Sequence, residues 1–133
     1  MRSFHLQVVT PDGPLFDGQA TSISVRADDG DVQILAGHVD YMASVGTGVA
    51  KIETEGGERI AACSGGFITV AGGEVRLVAT TFEFKEDIDR DRAVEAMEKA
   101  KILIRKAGND RDLELAEARL RRALNRINVA GHH

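Results

Sequence analysis

The sequence is first narrowed by what it does not contain. No stretch of its 133 residues approaches the roughly 18 consecutive apolar positions of a membrane-spanning helix. The opening segment "MRSFHLQVVTPDG" alternates apolar and polar residues and lacks the unbroken apolar core of a secretory signal. A cytoplasmic protein without direct membrane insertion is the expectation. A single cysteine, Cys63, excludes an internal disulfide. Its setting, "AACSGG", holds no basic neighbour to favour a thiolate, so a small core residue is expected there in place of a nucleophile. His/Cys clusters at metal-ligand spacing, G-x-S-x-G, a Walker loop and a Rossmann fingerprint are all missing. The glycine pairs of "SGGF" (64–67) and "AGGE" (71–74) precede strand chemistry and read as turns, not phosphate loops. No catalytic residue and no metal site are expected, and His132 and His133 at the end are set aside from any metal argument.

Charge is unevenly placed. Residues 1–84 carry five Lys/Arg against eleven Asp/Glu, and residues 85–133 carry twelve against ten. The acidic first part excludes nucleic-acid binding over the general surface.

What is present changes character near residue 85. Before it, short alternating runs are separated by turn residues. "FHLQVVT" (4–10) ends at Pro11-Asp12-Gly13, and "TSISVRA" (21–27) stops at "DDGD". "VAKIET" (49–54) and "RIAAC" (59–63) flank Gly56-Gly57, and "FITVAGGEVRLVA" (67–79) folds about Gly72-Gly73. Further strands are expected at Val32–Leu35 and Met42–Val45. Many short strands with no helical spacer predict an antiparallel sandwich or flattened barrel. His5 sits in one of these alternating strands and reads as a sheet position; His38 follows a glycine in a loop and reads as a contact residue.

From Asp87, a candidate N-cap, the period becomes helical. Ala93, Ala96, Met97, Ala100, Ile104 and Ala107 form one stripe, and Gly108 is expected to end the helix in left-handed geometry. Leu113, Ala116, Leu120, Ala123, Leu124 and Ile127 form a second stripe. A short break between the two predicts an antiparallel hairpin, with residues 1–84 forming the sandwich and 85–133 the helix pair. Alanine-rich stripes approach closely but bury little area, so this hairpin is expected to be only marginally stable alone. Two arginine arrangements stand out. Asp89 and Arg92 lie at i, i+3, which is either a solvated helix pair or part of a site. Arg119, Arg122 and Arg126 fall within roughly 60° of one another on one helix flank, where they either face water or meet an anion.

Four segments, in this order, resemble one family over essentially the whole chain. They are "DGDVQILAGH" (29–38), "SGGFITVAGGEVRLVA" (64–79), Ile88-Asp89-Arg90-Asp91-Arg92-Ala93 (the pattern I-D-x-x-R-A), and "RRALNRINV" (121–129). The resemblance is to the ε subunits of bacterial F-type ATP synthases. Members usually carry Pro where this chain has Ala36, and often again where it has Asp40. The likeness implies a β-sandwich of about ten strands joined to a two-helix C-terminal domain. It implies a non-catalytic, peripheral subunit at the cytoplasmic face of the cell membrane, in the central stalk of a proton- or sodium-translocating synthase. The implied partners are the γ subunit, the c-ring and, through extended helices, the catalytic α/β head. Asp31 and His38 are the implied partner contacts. In the family the helix pair inhibits ATP hydrolysis, and in several members it binds ATP as a regulatory ligand, with no cofactor required. That implies Ile88, Asp89, Arg92, Ala93, Arg122 and Arg126 as ATP-binding residues, with Glu83 in the link as a further member. Two other classes remain open: a free-standing nucleotide-sensing module, and an enzyme with a pocket between sandwich and hairpin.

Overall fold

Alternation along the first 84 residues places one apolar face per strand, and two such faces must be buried against each other. The computed structural model, which describes residues 2–132, resolves this requirement as a sandwich. Ten strands are formed among the described residues: β1 (Phe4–Thr10), β2 (Gly13–Ala20), β3 (Ser22–Ala27), β4 (Gly30–Leu35), β5 (Tyr41–Ser44), β6 (Gly48–Thr54), β7 (Gly57–Ser64), β8 (Phe67–Ala71), β9 (Glu74–Val78) and β10 (Thr81–Phe84). One sheet runs β2-β1-β9-β8-β5 and the other β10-β7-β6-β3-β4. Every pairing is antiparallel except β1 with β9, where Leu6 lies opposite Val75.

Leu6, Val8, Ile68 and Leu77 from the first sheet and Ile23, Ile34 and Ile52 from the second are fully buried and belong to one cluster. Each such side chain contributes on the order of 1.5–3 kcal/mol through burial. Cys63 lies in the same core, as expected, and burial pushes its thiol up to about 12, which keeps it protonated and inert. On β10, Phe82 and Phe84 stack edge to face at 5.1 Å, and the Arg59 guanidinium lies 3.6 Å from the Phe84 ring centre. The chain changes sheets after β5, where Val45 bridges Ala27 and its N–H donates to Gly66 O at 2.9 Å.

Two strands were not visible in the sequence. β2 contains Pro14 and Gly18, both depleted from strands, and it is tolerated because it lies at a sheet edge. β10 is only four residues long and in sequence does not stand out from the link. The expected hairpins form, though the loop between β6 and β7 is Glu55–Gly56 and Gly57 already pairs with Thr54.

Residues from Lys85 onward make a second compact unit. A 3-10 turn (Lys85–Asp87) precedes α1 (Arg90–Lys106), and α2 (Asp110–Ala130) returns antiparallel to it. The buried residues are Ala93 and Ala100 on α1 and Ala116, Ala123 and Val129 on α2, so alanine does line the seam. Leu124 departs from the expected stripe and is 45% exposed. The helix-ending role expected of Gly108 is also absent. The cap of α1 is Ala107, extended at φ −59°, ψ 124°, and Gly108 has no positive φ. Asn109 then caps α2 by accepting from the Asp112 N–H at 2.8 Å. His133 lies outside the described residues.

These two glycine environments give opposite expectations. Gly66 has φ +94°, and a Cβ there would lie 1.8 Å from Val78 O, so β9 must move to admit it. Gly66→Ala is expected to destabilise the sandwich by at least about 2 kcal/mol in urea unfolding. Gly108→Ala meets nothing within 4 Å. It is expected to be neutral or to stabilise by up to about 1 kcal/mol.

Candidate functional site

The two groups of candidate residues lie in different compact units. On the sandwich, Asp31 sits on β4 opposite Arg26 of β3, with Arg26 Nη1 3.5 Å from its Oδ1. Both side chains are more than half exposed, so this pair is worth under about 1 kcal/mol. His38 lies beyond the other end of β4, with roughly 13 Å of strand between Asp31 and Leu35. The structure therefore does not bring Asp31 and His38 together.

The loop that carries His38 is held by several bonds. His38 N–H donates to Leu35 O at 3.2 Å, and its Nδ1 donates to the Val39 carbonyl at 2.7 Å. A carbonyl can only accept, so Nδ1 carries the proton. The imidazole meets the Tyr41 ring edge-on at 5.6 Å. Asp40 Oδ1 accepts from Gly72 N at 3.1 Å and so ties this loop to the β8–β9 turn. In sequence Asp40 marks only a departure from proline, and this anchoring role has no local signal there. Around the loop, Leu35 is 54% exposed, Val39 75% and Met42 68%. Three large apolar side chains within eight residues of chain are thus left to water.

In the helical unit, Asp89 is the N-cap of α1, two residues later than the expected Asp87. Its Oδ1 accepts from the Arg92 backbone N–H at 3.1 Å, and its carbonyl takes the first helical bond from Ala93 N at 3.0 Å. Ile88, half-buried, and Ala93, fully buried, occupy the two positions of a hydrophobic staple on either side of the cap. The I-D-x-x-R-A pattern thus has a structural reading of its own as a helix start. The Arg92 side chain is exposed and takes no part in that cap.

Arg122 and Arg126 are half-buried on α2, and Arg119 is exposed. At 1.5 Å per residue Arg92 stands roughly 21 Å from the hairpin turn, Arg122 roughly 18 Å and Arg126 roughly 24 Å. The hairpin therefore brings Asp89, Arg92, Arg122 and Arg126 to one end. Lys85 Nζ donates to the His132 carbonyl at that same end. Glu83 is a half-exposed residue of β10, opposite Ala62, and belongs to the sandwich instead of the link. No group of His, Cys, Asp or Glu among the described residues is arranged to hold a metal ion. No helix among them is long and apolar enough to cross a membrane.

Both units have known counterparts. Residues 3–85 match the family described as "ATP synthase, Delta/Epsilon chain, beta-sandwich domain", and residues 86–131 match "ATP synthase, Delta/Epsilon chain, long alpha-helix domain". The ATP synthase epsilon chain of Bacillus velezensis is 39% identical over 132 residues, covering 99% of this chain and 100% of that one. The ATP synthase epsilon chain of Bacillus subtilis is 38% identical over 131 residues, covering 98% and 99%. In fold, a chain in the OSCP/F1/c-ring structure of Euglena gracilis mitochondrial ATP synthase superposes with a TM-score of 0.81 at 24% identity, covering 98% of this chain and 82% of that one. A chain from the central stalk/c-ring of the Tetrahymena thermophila enzyme gives 0.67 at 12% identity, covering 97% of each.

The cap geometry has a measurable consequence. Asp89→Ala is expected to cost the first turn of α1 about 1 kcal/mol, read as faster hydrogen exchange at its early amides. Asp87→Ala should leave those rates unchanged; the reverse pattern would place the cap at Asp87.

Proposed function

The chain belongs to the ATP synthase epsilon-chain family, and we propose that it is a non-catalytic rotor subunit of the central stalk that also restrains ATP hydrolysis. The observation that carries this reading is the family match over both units, with relatives of nearly equal length at 38–39% identity. In this role the sandwich joins γ to the c-ring at the cytoplasmic face of the membrane, with Asp31 and His38 at or near those contacts. The exposed Leu35, Val39 and Met42 support a sandwich that works inside an assembly. A free-standing nucleotide sensor would have no use for so much exposed apolar surface.

The helix pair is the restraint. Its seam is built largely from alanine, each methyl contributing only about 0.8 kcal/mol on burial. A hairpin of that kind gains little from any single docking surface and can exchange one for another. In an assembled enzyme, a chain ending at Glu86 is expected to retain coupling and to raise the ATP hydrolysis rate. An unchanged rate, with the shortened chain shown to be incorporated, would remove the restraining role.

ATP is the ligand proposed to hold the hairpin folded. Arg92, Arg122 and Arg126, gathered at one end, offer forks that pair with phosphate oxygens, and Asp89 can orient an arginine or accept from the adenine amino group. Ile88 and Ala93 shape the helix start beneath them, and Glu83 is proposed as an outlying member from the sandwich side. The same groups could serve as internal ion pairs without ligand, and calorimetry separates the two. Wild-type protein is expected to bind ATP, and Arg92→Ala to weaken binding by about 1.5–3 kcal/mol, the range of a hydrogen bond to a charged group. Absence of both binding heat and thermal shift at millimolar ATP would make the cluster purely structural.

A further inference from the structure

His5 lies on the outer face of the first sheet. Its position on β1 is flanked by β9, where Glu74 is its neighbour in register, and by the edge strand β2, where Asp17 lies diagonally across. Its Nδ1 is 2.6 Å from Glu74 Oε2 and its Nε2 is 2.5 Å from Asp17 Oδ1. Carboxylates only accept, so both contacts are hydrogen bonds only when both ring nitrogens carry protons. A neutral imidazole has one N–H and would turn a lone pair toward one of the two carboxylates. This geometry is that of an imidazolium held between two anions on two different strands.

We propose that His5 is a proton-dependent clamp that fastens the edge strand β2 and the β8–β9 hairpin onto β1, and that β2 loosens when the clamp deprotonates. The charged groups on this face of the flanking strands are Asp17 on β2 and Glu74 and Arg76 on β9. Gln7 and Gln19 are the uncharged neighbours, and Gln7 Nε2 also donates to Asp17 Oδ2 at 3.3 Å. Arg76 stands opposite Gln7, one residue pair further along than the clamp. β2 depends on such a fastening because it pairs on one side only and carries Pro14 and Gly18.

The direction with pH follows from the charges. Hydrogen bonds to Asp17 first and Glu74 second hold the His5 pKa above its ordinary 6.5, against a smaller opposing effect of desolvation. Stabilisation by a raised histidine is complete below that ordinary value and is lost as pH rises through the folded-state value. The His5 contact holds the Asp17 carboxyl below its ordinary 3.8, so that contribution is present above 3.8 and is lost as pH falls through the lower folded value. The clamp is strongest between those limits.

Amide hydrogen exchange on the full chain between pH 5.5 and 9, corrected for intrinsic base catalysis, tests this. Protection of the β2 amides is expected to fall with rising pH in the wild type. In His5→Gln it should be lower at pH 5.5 and nearly flat, so the ratio between the two proteins narrows toward one at high pH. Protection of β6 and β7 in the other sheet serves as the control and should not follow this transition. Nitrogen NMR of the wild-type ring gives a second reading that needs no variant: His5 is expected to keep both protons above pH 6.5. A titration at or below 6.5, or β2 protection independent of pH, would overturn the clamp.

Discussion

The interleaving of aliphatic side chains between the two sheets is the contact on which the rest of the molecule depends. Leu6, Ile68 and Leu77 from one sheet and Ile23, Ile34 and Ile52 from the other are sealed from water. They belong to strands that alternate strictly, so the same constraint that fills the core fixes what faces outward. A one-residue slip of β1 would turn Leu6 and Val8 to solvent and send His5 and Gln7 into the core. The outward chemistry, from the Asp31–Arg26 pair to the imidazolium on β1, is thus held in register by inward packing. Strands with fewer inward aliphatics, such as β2 and β10, need other support, and they find it in an edge position and in a pair of stacked phenylalanines.

The helical unit has no comparable centre. Ala93 and Ala100 recur at a spacing of seven, as do Ala116 and Ala123, so the seam repeats every two turns with the smallest side chain that still packs. Close approach replaces buried area. Ile102, Leu103, Leu115 and Leu124 are left between 40% and 54% exposed. A unit built this way keeps its secondary structure through capping and local pairs such as Glu98–Lys101, and leaves these four larger apolar side chains outside its own seam.

Much of this could be read from residue order. Strands whose alternation is strong, such as Phe4–Thr10 and Ser22–Ala27, declare themselves, and so do the hairpins at Gly72-Gly73 and near Gly56. The family resemblance supplied the strand count that periodicity alone did not, because Pro14 and Gly18 disguise β2 and brevity hides β10. The helix start shifted from Asp87 to Asp89 because two aspartates two residues apart have equal capping chemistry, and only the backbone angles choose between them. That Arg92, Arg122 and Arg126 lie toward one end of the hairpin was legible because helix rise and a hairpin turn fix their levels. Asp31 and His38 come from the resemblance as partner contacts, and β4 sets them at its two ends because an extended strand carries neighbours far apart. The role of Asp40 depends on a partner 32 residues away, which no local pattern announces.

The parallel pairing of β1 with β9 bears on how the chain is made. During synthesis β1 gains its second neighbour only when residues 75–78 have followed. Until then β1 has only its hairpin with β2, and its other edge is an open row of hydrogen-bonding groups able to accept a wrong strand. The second sheet is the more local one, through the β3–β4 and β6–β7 hairpins, although its edge strand β10 is the last strand of the sandwich to be made. Closing a parallel pair over so long a loop is slow relative to hairpin formation. The sandwich therefore completes itself at the end of its own synthesis, and the segment that becomes the helices is translated only after the last partner of the first strand exists.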